Sequence, residues 1–380
     1  MKSETLAWTQ TRGWTVPANR LQAAQLVLAF GNRDWIAATP ALDQLRQTYP
    51  GAHIVACSTG GQIVDDDVSD EIGSAMAMQF DHTALTVARV AVAGAEGSFH
   101  AGQRLAEALA RPDLKGIFIL SDGLNVNGSQ LVAGLRSIAD DQVVITGGLA
   151  GDGASFERTL VHLDGESLEG EVVAVGFAGA AMRIGHGSAG GWSEFGPRRS
   201  ITRSTGNQLF EIDGCSALEL YKAYLGEEAE GLPGTGLLYP LLISDPHRPG
   251  RSLVRTILAI DKATGSMTFA GDMPEGWTAQ LMRGHFDRLA KASAEAATAA
   301  MTGLDCGHSD AAAILISCIG RRILMGESII SEVATARRSL GEKTAMAGFY
   351  SYGEISPHAV SGCSEFHNQT MTITTFSEAA

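Results

Sequence analysis

The chain has 380 residues and carries 28 Lys and Arg against 42 Asp and Glu, a net charge of −14. Its longest basic clusters are the pairs Arg198-Arg199, Arg321-Arg322 and Arg337-Arg338, too little positive surface to neutralise phosphates, so neither nucleic acid nor an anionic membrane is an expected partner. Five Cys with no Cys-x-x-Cys pair, a start (1–20) without the apolar core of a signal peptide, and no apolar run near the ~20 residues of a membrane helix describe a reduced, cytoplasmic protein.

Hydrophobic residues make up 45% and aromatics only 6%, so the core is expected to be built mostly from Ala, Val, Ile and Leu. Short apolar runs at 25–30, 53–58, 116–121 and 143–147 read as buried strands. Between them 40–49, 100–110 and 129–139 have helical patterning, and the alternation implies βα units with a largely parallel sheet. Two hairpins are expected to interrupt it. One joins 74–80 to 84–92 about Asp81-His82-Thr83; the other joins 158–163 to 171–177 about a turn containing Asp164-Gly165. The Gly-rich stretch 185–196 reads as a joint. Beyond it 216–225 reads as a helix, and 237–244, 253–260 and 266–270 as an antiparallel meander. The longest helix is expected at 278–301, with Met282, Phe286, Leu289, Ala290, Ala296, Ala297 and Ala300 on one apolar face and Ser293 the small polar residue among them. Strands at 311–318, 346–352 and 370–376 follow. The expected fold is therefore α/β: a βα-rich mixed-sheet N-terminal domain over 24–212, then an α+β C-terminal domain over 213–376.

Four constellations hold chemistry-bearing residues. Cys57-Ser58-Thr59-Gly60-Gly61-Gln62-Ile63 ends an apolar strand, and its short side chains either leave backbone N–H groups open to a ligand or simply form a turn. A nucleophilic Cys57 needs a base, and no sequence-local His supplies one. Ser121-Asp122-Gly123-Leu124-Asn125 follows another strand, at the end where open α/β sheets bind ligands. Asp122 there either accepts from a ligand amine or caps a turn. Gly147-Gly148-Leu149-Ala150-Gly151-Asp152-Gly153 lacks both Gly-x-Gly-x-x-Gly spacing and a following Lys-Ser/Thr. Its glycines fit a close backbone turn better than a nucleotide cradle, with Asp152 near the rim of Asp122. The fourth runs through Phe349-Tyr350-Ser351-Tyr352-Gly353-Glu354-Ile355-Ser356-Pro357 and Cys363-Ser364-Glu365-Phe366-His367-Asn368-Gln369-Thr370-Met371. Polar groups at that density either satisfy one another in the interior or line a pocket. Asp305-Cys306-Gly307-His308 has no second ligand pair at zinc spacing and reads as a loop.

The third and fourth constellations carry a resemblance. Gly147-Gly148-Leu149-Ala150-Gly151-Asp152 with Cys57-Ser58 resembles the N-terminal FIST domain. Phe349-Tyr350-Ser351-Tyr352-Gly353-Glu354-Ile355 with Glu365-Phe366-His367-Asn368-Gln369-Thr370-Met371 resembles the end of the C-terminal FIST domain. Gly185-His186-Gly187, Gly191-Trp192, Gly206-Asn207 and Ile212-Asp213-Gly214 extend the similarity to nearly the whole chain from about residue 24. The resemblance implies a sensory protein that binds a small ligand rather than a catalyst. In bacteria such proteins sit beside histidine kinases, methyl-accepting receptors and cyclic-di-GMP enzymes. One branch, which this chain resembles in lacking fused output domains, comprises haem proteins that sense nitric oxide and control a partner kinase.

On that reading the ligand lies between the two halves. It touches Cys57, Ser58, Asp122, Gly148 and Asp152 from the first, and Tyr352, Glu354, His367 and Asn368 from the second. A haem b has no covalent attachment motif here and takes His367 or His186 as its axial ligand, unless a thiolate serves. His367 has an alternative role, anchoring the terminal strand beside Asn368 and Gln369. The chain departs from the family's pattern at Thr59 and Gln62, where members often carry Ser and Glu, and so loses a carboxylate contact to a cationic ligand. Two competing expectations are a Cys-dependent enzyme using Cys57 or Cys363, marked by a base near the thiol, and a scaffold with no small ligand.

Overall fold

The computed structural model describes residues 1–38, 40–304 and 311–379. The segment Asp305-Cys306-Gly307-His308, read above as a loop, lies outside the described residues. Three βα units organise most of the rest. In each, an apolar strand runs parallel to its neighbour and the connecting helices cover the sheet, because parallel strands need a crossover. Leu26–Gly31 pairs with His53–Ser58 around Arg33–Ala38 and Pro40–Thr48. Leu114–Ser121 pairs with Val144–Leu149 around Gly128–Arg136. Ala312–Cys318 pairs with Ala345–Ser351 around Ile319–Met325 and Ile330–Leu340. These units seed sheets of seven, six and six strands. Strands hold 41% of the residues and helices 26%, the mixed α/β class that the alternation implied.

The three sheets each turn one face to a common core. Leu28 and Phe30 of the first, Phe118 and Val175 of the second, and Ile316 and Phe349 of the third belong to one buried cluster, with Phe30 and Phe349 stacked at 4.8 Å. Each such side chain contributes about 1.5–3 kcal/mol on burial. Helices Ser98–Leu109 and Gly128–Arg136 cover the opposite face of the second sheet, and Phe286–Thr302 and Ile330–Leu340 that of the third. The halves of the chain interleave: Gly353–Pro357 pairs with Val144–Leu149, and Gln62–Val64 with Ala345–Ser351. A fourth sheet, eight-stranded and antiparallel, is built wholly from 193–283. Helix Ala217–Leu225, N-capped by Ser216, packs Leu218 and Tyr221 into a core of its own.

Four expectations are corrected. Gly73–Gln79 and Ala84–Ala91 are strands but not a hairpin. The first lies between Leu26–Gly31 and Lys2–Thr9; the second edges the second sheet beside Glu171–Ala178. The Asp81-His82-Thr83 turn is a crossing between sheets, fixed by the Glu378 carboxylate, which accepts from Asp81 N, His82 N and Thr83 Oγ1 at 2.8, 2.9 and 2.6 Å. Asp164-Gly165 closes a shorter hairpin, Val161–Leu163 with Glu166–Leu168, before the chain crosses to the second sheet. The Gly-rich stretch 185–196 is a joint only at 190–192, where the chain passes to the fourth sheet; before it, Met182–Ala189 is a strand beside Met371–Glu378. Its glycines answer to the helix lying against it, since a Cβ at Gly185 or Gly187 would fall 1.9 Å from Ala300 O or Ala296 O. Finally, 278–301 divides. Thr278–Arg283 is a strand of the fourth sheet, and the helix begins only at Phe286, which is exposed, while Leu289, Ser293, Ala296, Ala297 and Ala300 are buried. No described helix is long and apolar enough to cross a membrane.

Candidate functional site

A cleft of about 120 Å³ opens where the 193–283 unit meets the three-sheet body. The loop from Gly123 to Asn127, at the carboxyl end of Leu114–Ser121, supplies one wall, as open α/β sheets place their ligand sites. Asn207, Thr256, Leu258, Phe269 and Gly271 supply the facing wall. Cys318, Ile319, Tyr352 and Phe366 also line it, with Phe156 beside Tyr352 and Ala95 at the edge. Asp272 ties the walls together. Its carboxylate accepts from Asn127 Nδ2 at 2.9 Å and Gln130 Nε2 at 2.5 Å, and its N–H donates to Ser129 Oγ at 3.1 Å. Arg255, buried beside it, donates to Asp272 O and Phe366 O, each at 3.1 Å. Burial pushes its guanidinium down to about 10, against the pull of Asp272.

The sequence-predicted site residues come together only in part. Tyr352 lines the cleft. Its ring stacks on Phe156 at 4.6 Å and 18°, and its hydroxyl donates to the Asp152 carboxylate and accepts from Asp152 N at 3.1 Å. Asp152 holds a turn: Oδ1 accepts from Phe156 N at 2.9 Å, and Oδ2 from Glu157 N at 3.0 Å and Arg158 N at 2.9 Å, with Arg33 at 3.2 Å. Burial raises its carboxyl, but Tyr352 and those N–H groups outweigh it and leave the group below the usual range. Asp122 is fully buried in an Asx turn. Oδ1 accepts from Leu124 N and Asn125 N at 2.8 and 2.7 Å, and Oδ2 from Gly170 N at 3.0 Å. Of the two readings open for Asp122 and Asp152, the geometry matches the caps.

The glycine and cysteine turns are likewise absorbed by the backbone. Gly60 N donates to Tyr350 O at 2.7 Å and Gly151 N to Ser58 O at 2.9 Å, so these N–H groups face no ligand. Ser58 Oγ accepts from Leu160 N at 2.9 Å. Gly147 has φ 141°, and a Cβ there would fall 2.1 Å from Ile119 O; at Gly148 it would fall 2.8 Å from Ile316 Cγ2. Cys57 lies in the apolar core, where burial alone pushes its thiol well up, the reverse of what a nucleophile needs. Cys363 sits on an exposed turn.

Much of the C-terminal polar cluster satisfies itself, although Tyr350 Oη, Ser356 Oγ and Gln369 Oε1 are buried without a described partner. Glu354 Oε1 accepts from Ser351 Oγ at 2.7 Å, and Oε2 from Thr370 Oγ1 and N at 2.8 and 3.2 Å. Burial outweighs these donors and pushes the carboxyl up to about 7. His367 stands opposite Glu354 in the register, is bonded through Nε2 to Ser356 O at 2.9 Å, and stacks on His358 at 6.1 Å. Burial pushes it down to about 4. Asn368 Oδ1 accepts from Thr256 N at 3.3 Å. His186 is half-buried on Met182–Ala189 and lowered by burial. Neither His367 nor His186 lines the cleft. No group of three metal-binding side chains occurs among the described residues. Sequence reasoning missed Phe156, Thr256, Leu258 and Cys318; they come from three distant stretches outside the four constellations, and only the sheet crossings bring them together.

The chain belongs to the FIST family: 25–215 matches the FIST N domain and 217–357 the FIST C domain. FIST domains are small-ligand-binding domains of signal transduction. No curated protein matches the chain.

Proposed function

We propose that this FIST protein is a cytoplasmic sensor whose small ligand occupies the cleft between the 193–283 unit and the three-sheet body. Ligand binding shifts the balance between two arrangements of these parts, in proportion to its differential affinity for them. The change passes to a partner signalling protein, a histidine kinase or a cyclic-di-GMP enzyme. One observation carries the reading: both family segments contribute cleft walls, Gly123, Asn127 and Asn207 from one and Thr256, Phe269 and Cys318 from the other. A ligand there bridges the two segments.

A haem-based nitric oxide sensor is the narrower form of this reading, and the nominated residues do not fit it. His367 commits its Nε2 to a backbone carbonyl, His186 lies on another strand, and the cleft volume is below the ~300 Å³ at which pockets for drug-sized ligands begin. A Soret band in protein purified from its own host, lost in His367→Ala, would restore it. The sensor itself is tested by native mass spectrometry of protein purified under mild conditions. Ala95 is exposed at the cleft mouth, so Ala95→Trp closes the entrance without disturbing a core. A small-molecule adduct on the wild type that disappears in Ala95→Trp supports the cleft; an adduct that persists in the variant contradicts it.

A further inference from the structure

We infer that the cleft selects an uncharged, largely apolar ligand about one ring in size, carrying a hydroxyl or carbonyl oxygen for Thr256. This rests on the reading that the cleft is the ligand site. No side chain lining it is charged: its polar members are Asn127, Asn207, Thr256, Cys318 and Tyr352. The acidic groups beside it are committed, Asp152 to its turn and Asp272 to Asn127 and Gln130. Arg255 neighbours Thr256 but is not part of the lining and donates to the carbonyls of Val254, Phe366 and Asp272. A carboxylate or ammonium entering the cleft would shed water without meeting a counter-charge.

Thr256 supplies the second observation. Its Oγ1 has almost no accessible surface and no hydrogen-bond partner among the described residues, while the residue itself lines the cleft near Leu258, Phe269 and Phe366, so rotation about its Cα–Cβ bond is what brings the hydroxyl to a ligand. A buried hydroxyl left unpaired is costly, and a ligand oxygen placed against it recovers that cost. Asn207 Nδ2 is engaged with Phe269 O at 2.9 Å, and the Tyr352 hydroxyl with Asp152. Tyr352 therefore offers its ring, stacked on Phe156, as an aromatic wall. The volume of about 120 Å³ compares with the roughly 150 Å³ cavity that holds benzene in another protein.

Isothermal titration with benzyl alcohol, benzoate and benzylamine at pH 7 tests this, because the three share one ring and differ in charge. Benzyl alcohol is expected to bind at least tenfold more tightly than either ion. Thr256→Val should weaken benzyl alcohol about fivefold, the worth of one net hydrogen bond, while leaving urea stability unchanged or slightly raised, because the unpaired hydroxyl is gone. Equal affinity for an ion and benzyl alcohol, an unchanged affinity in Thr256→Val, or no binding of any probe at millimolar concentration would overturn the inference. Ala95→Trp separates its failure from that of the sensor reading. If an ion binds as well as the alcohol and Ala95→Trp abolishes both, the cleft stands and the charge selection falls. If Ala95→Trp changes nothing for a probe that binds, the cleft falls with it.

Discussion

Replacing Glu354 by Gln should remove a proton from the folding equilibrium. The carboxyl is fully buried, and its described partners are neutral donors, Ser351 Oγ, Thr370 Oγ1 and Thr370 N. Burial raises its ionisation from 4.5 to about 7, against those donors and the more distant Arg321. Because the folded value is the higher one, the stability it contributes is complete below 4.5 and is lost as pH rises through about 7. At ~1.36 kcal/mol per pH unit, the whole effect is about 3 kcal/mol, of which about 2–3 kcal/mol falls between pH 5 and 8.5. Gln fits the site as a neutral isostere. Its amide oxygen takes the Thr370 donors, and its NH₂ faces Ser351 Oγ, whose proton turns to Ser317 O at 3.3 Å. Urea unfolding followed by tryptophan fluorescence should therefore find Glu354→Gln close to wild type at pH 5 and about 2–3 kcal/mol more stable at pH 8.5. The same pH slope in both proteins would refute the reasoning, as would a loss of stability in the variant at both pH values.

The caps lead to opposite behaviour at the two aspartates. Asp122→Ala and Asp152→Ala each leave several part-buried N–H groups without their carboxylate and should cost about 1–3 kcal/mol in urea unfolding; wild-type stability in either would return them to the pocket. Arg321 and Glu332 form a fully buried pair at 2.7 Å. Arg321→Met should cost about 3–5 kcal/mol, and the double change with Glu332→Leu should recover most of it; a double variant no better than the single contradicts this. Thiol labelling at pH 8, mapped by peptide mass, should find Cys215 and Cys363 reactive and Cys57 and Cys318 protected until unfolding, since the latter are buried and their thiols raised. Prompt labelling of Cys57 would revive a Cys-dependent reaction.

Strand positions were legible because buried strands write apolar runs. His53–Ser58 has the bounds the sequence implied, and Leu26–Gly31 and Val144–Leu149 lie within two residues of theirs. Sheet membership was not. Nothing between Gly73–Gln79 and Ala84–Ala91 signals that the chain changes sheets, because the anchor, Glu378, is at the far end of the sequence. Thr278–Arg283 reads as part of the helix that follows because Met282 falls in register with that helix's apolar face, while its true partners are in Leu241–Ser244 and 193–205. At the site, the polar density around Tyr352 marked the right neighbourhood. It did not distinguish groups that satisfy one another, such as Glu354 and Thr370, from the ring of Tyr352, which faces the cleft. Phe366 and His367 show how fine the distinction is: they are adjacent on one strand and point to opposite faces, and only Phe366 lines the cleft.

Amide hydrogen exchange tests the central claim most directly, comparing the protein before and after addition of the small molecule that co-purifies with it. Occupancy of the cleft predicts protection on both walls, in 123–128 and in 256–258 with 269–271. Protection confined to one wall, or appearing around His186 or the Cys57 turn instead, would contradict the account.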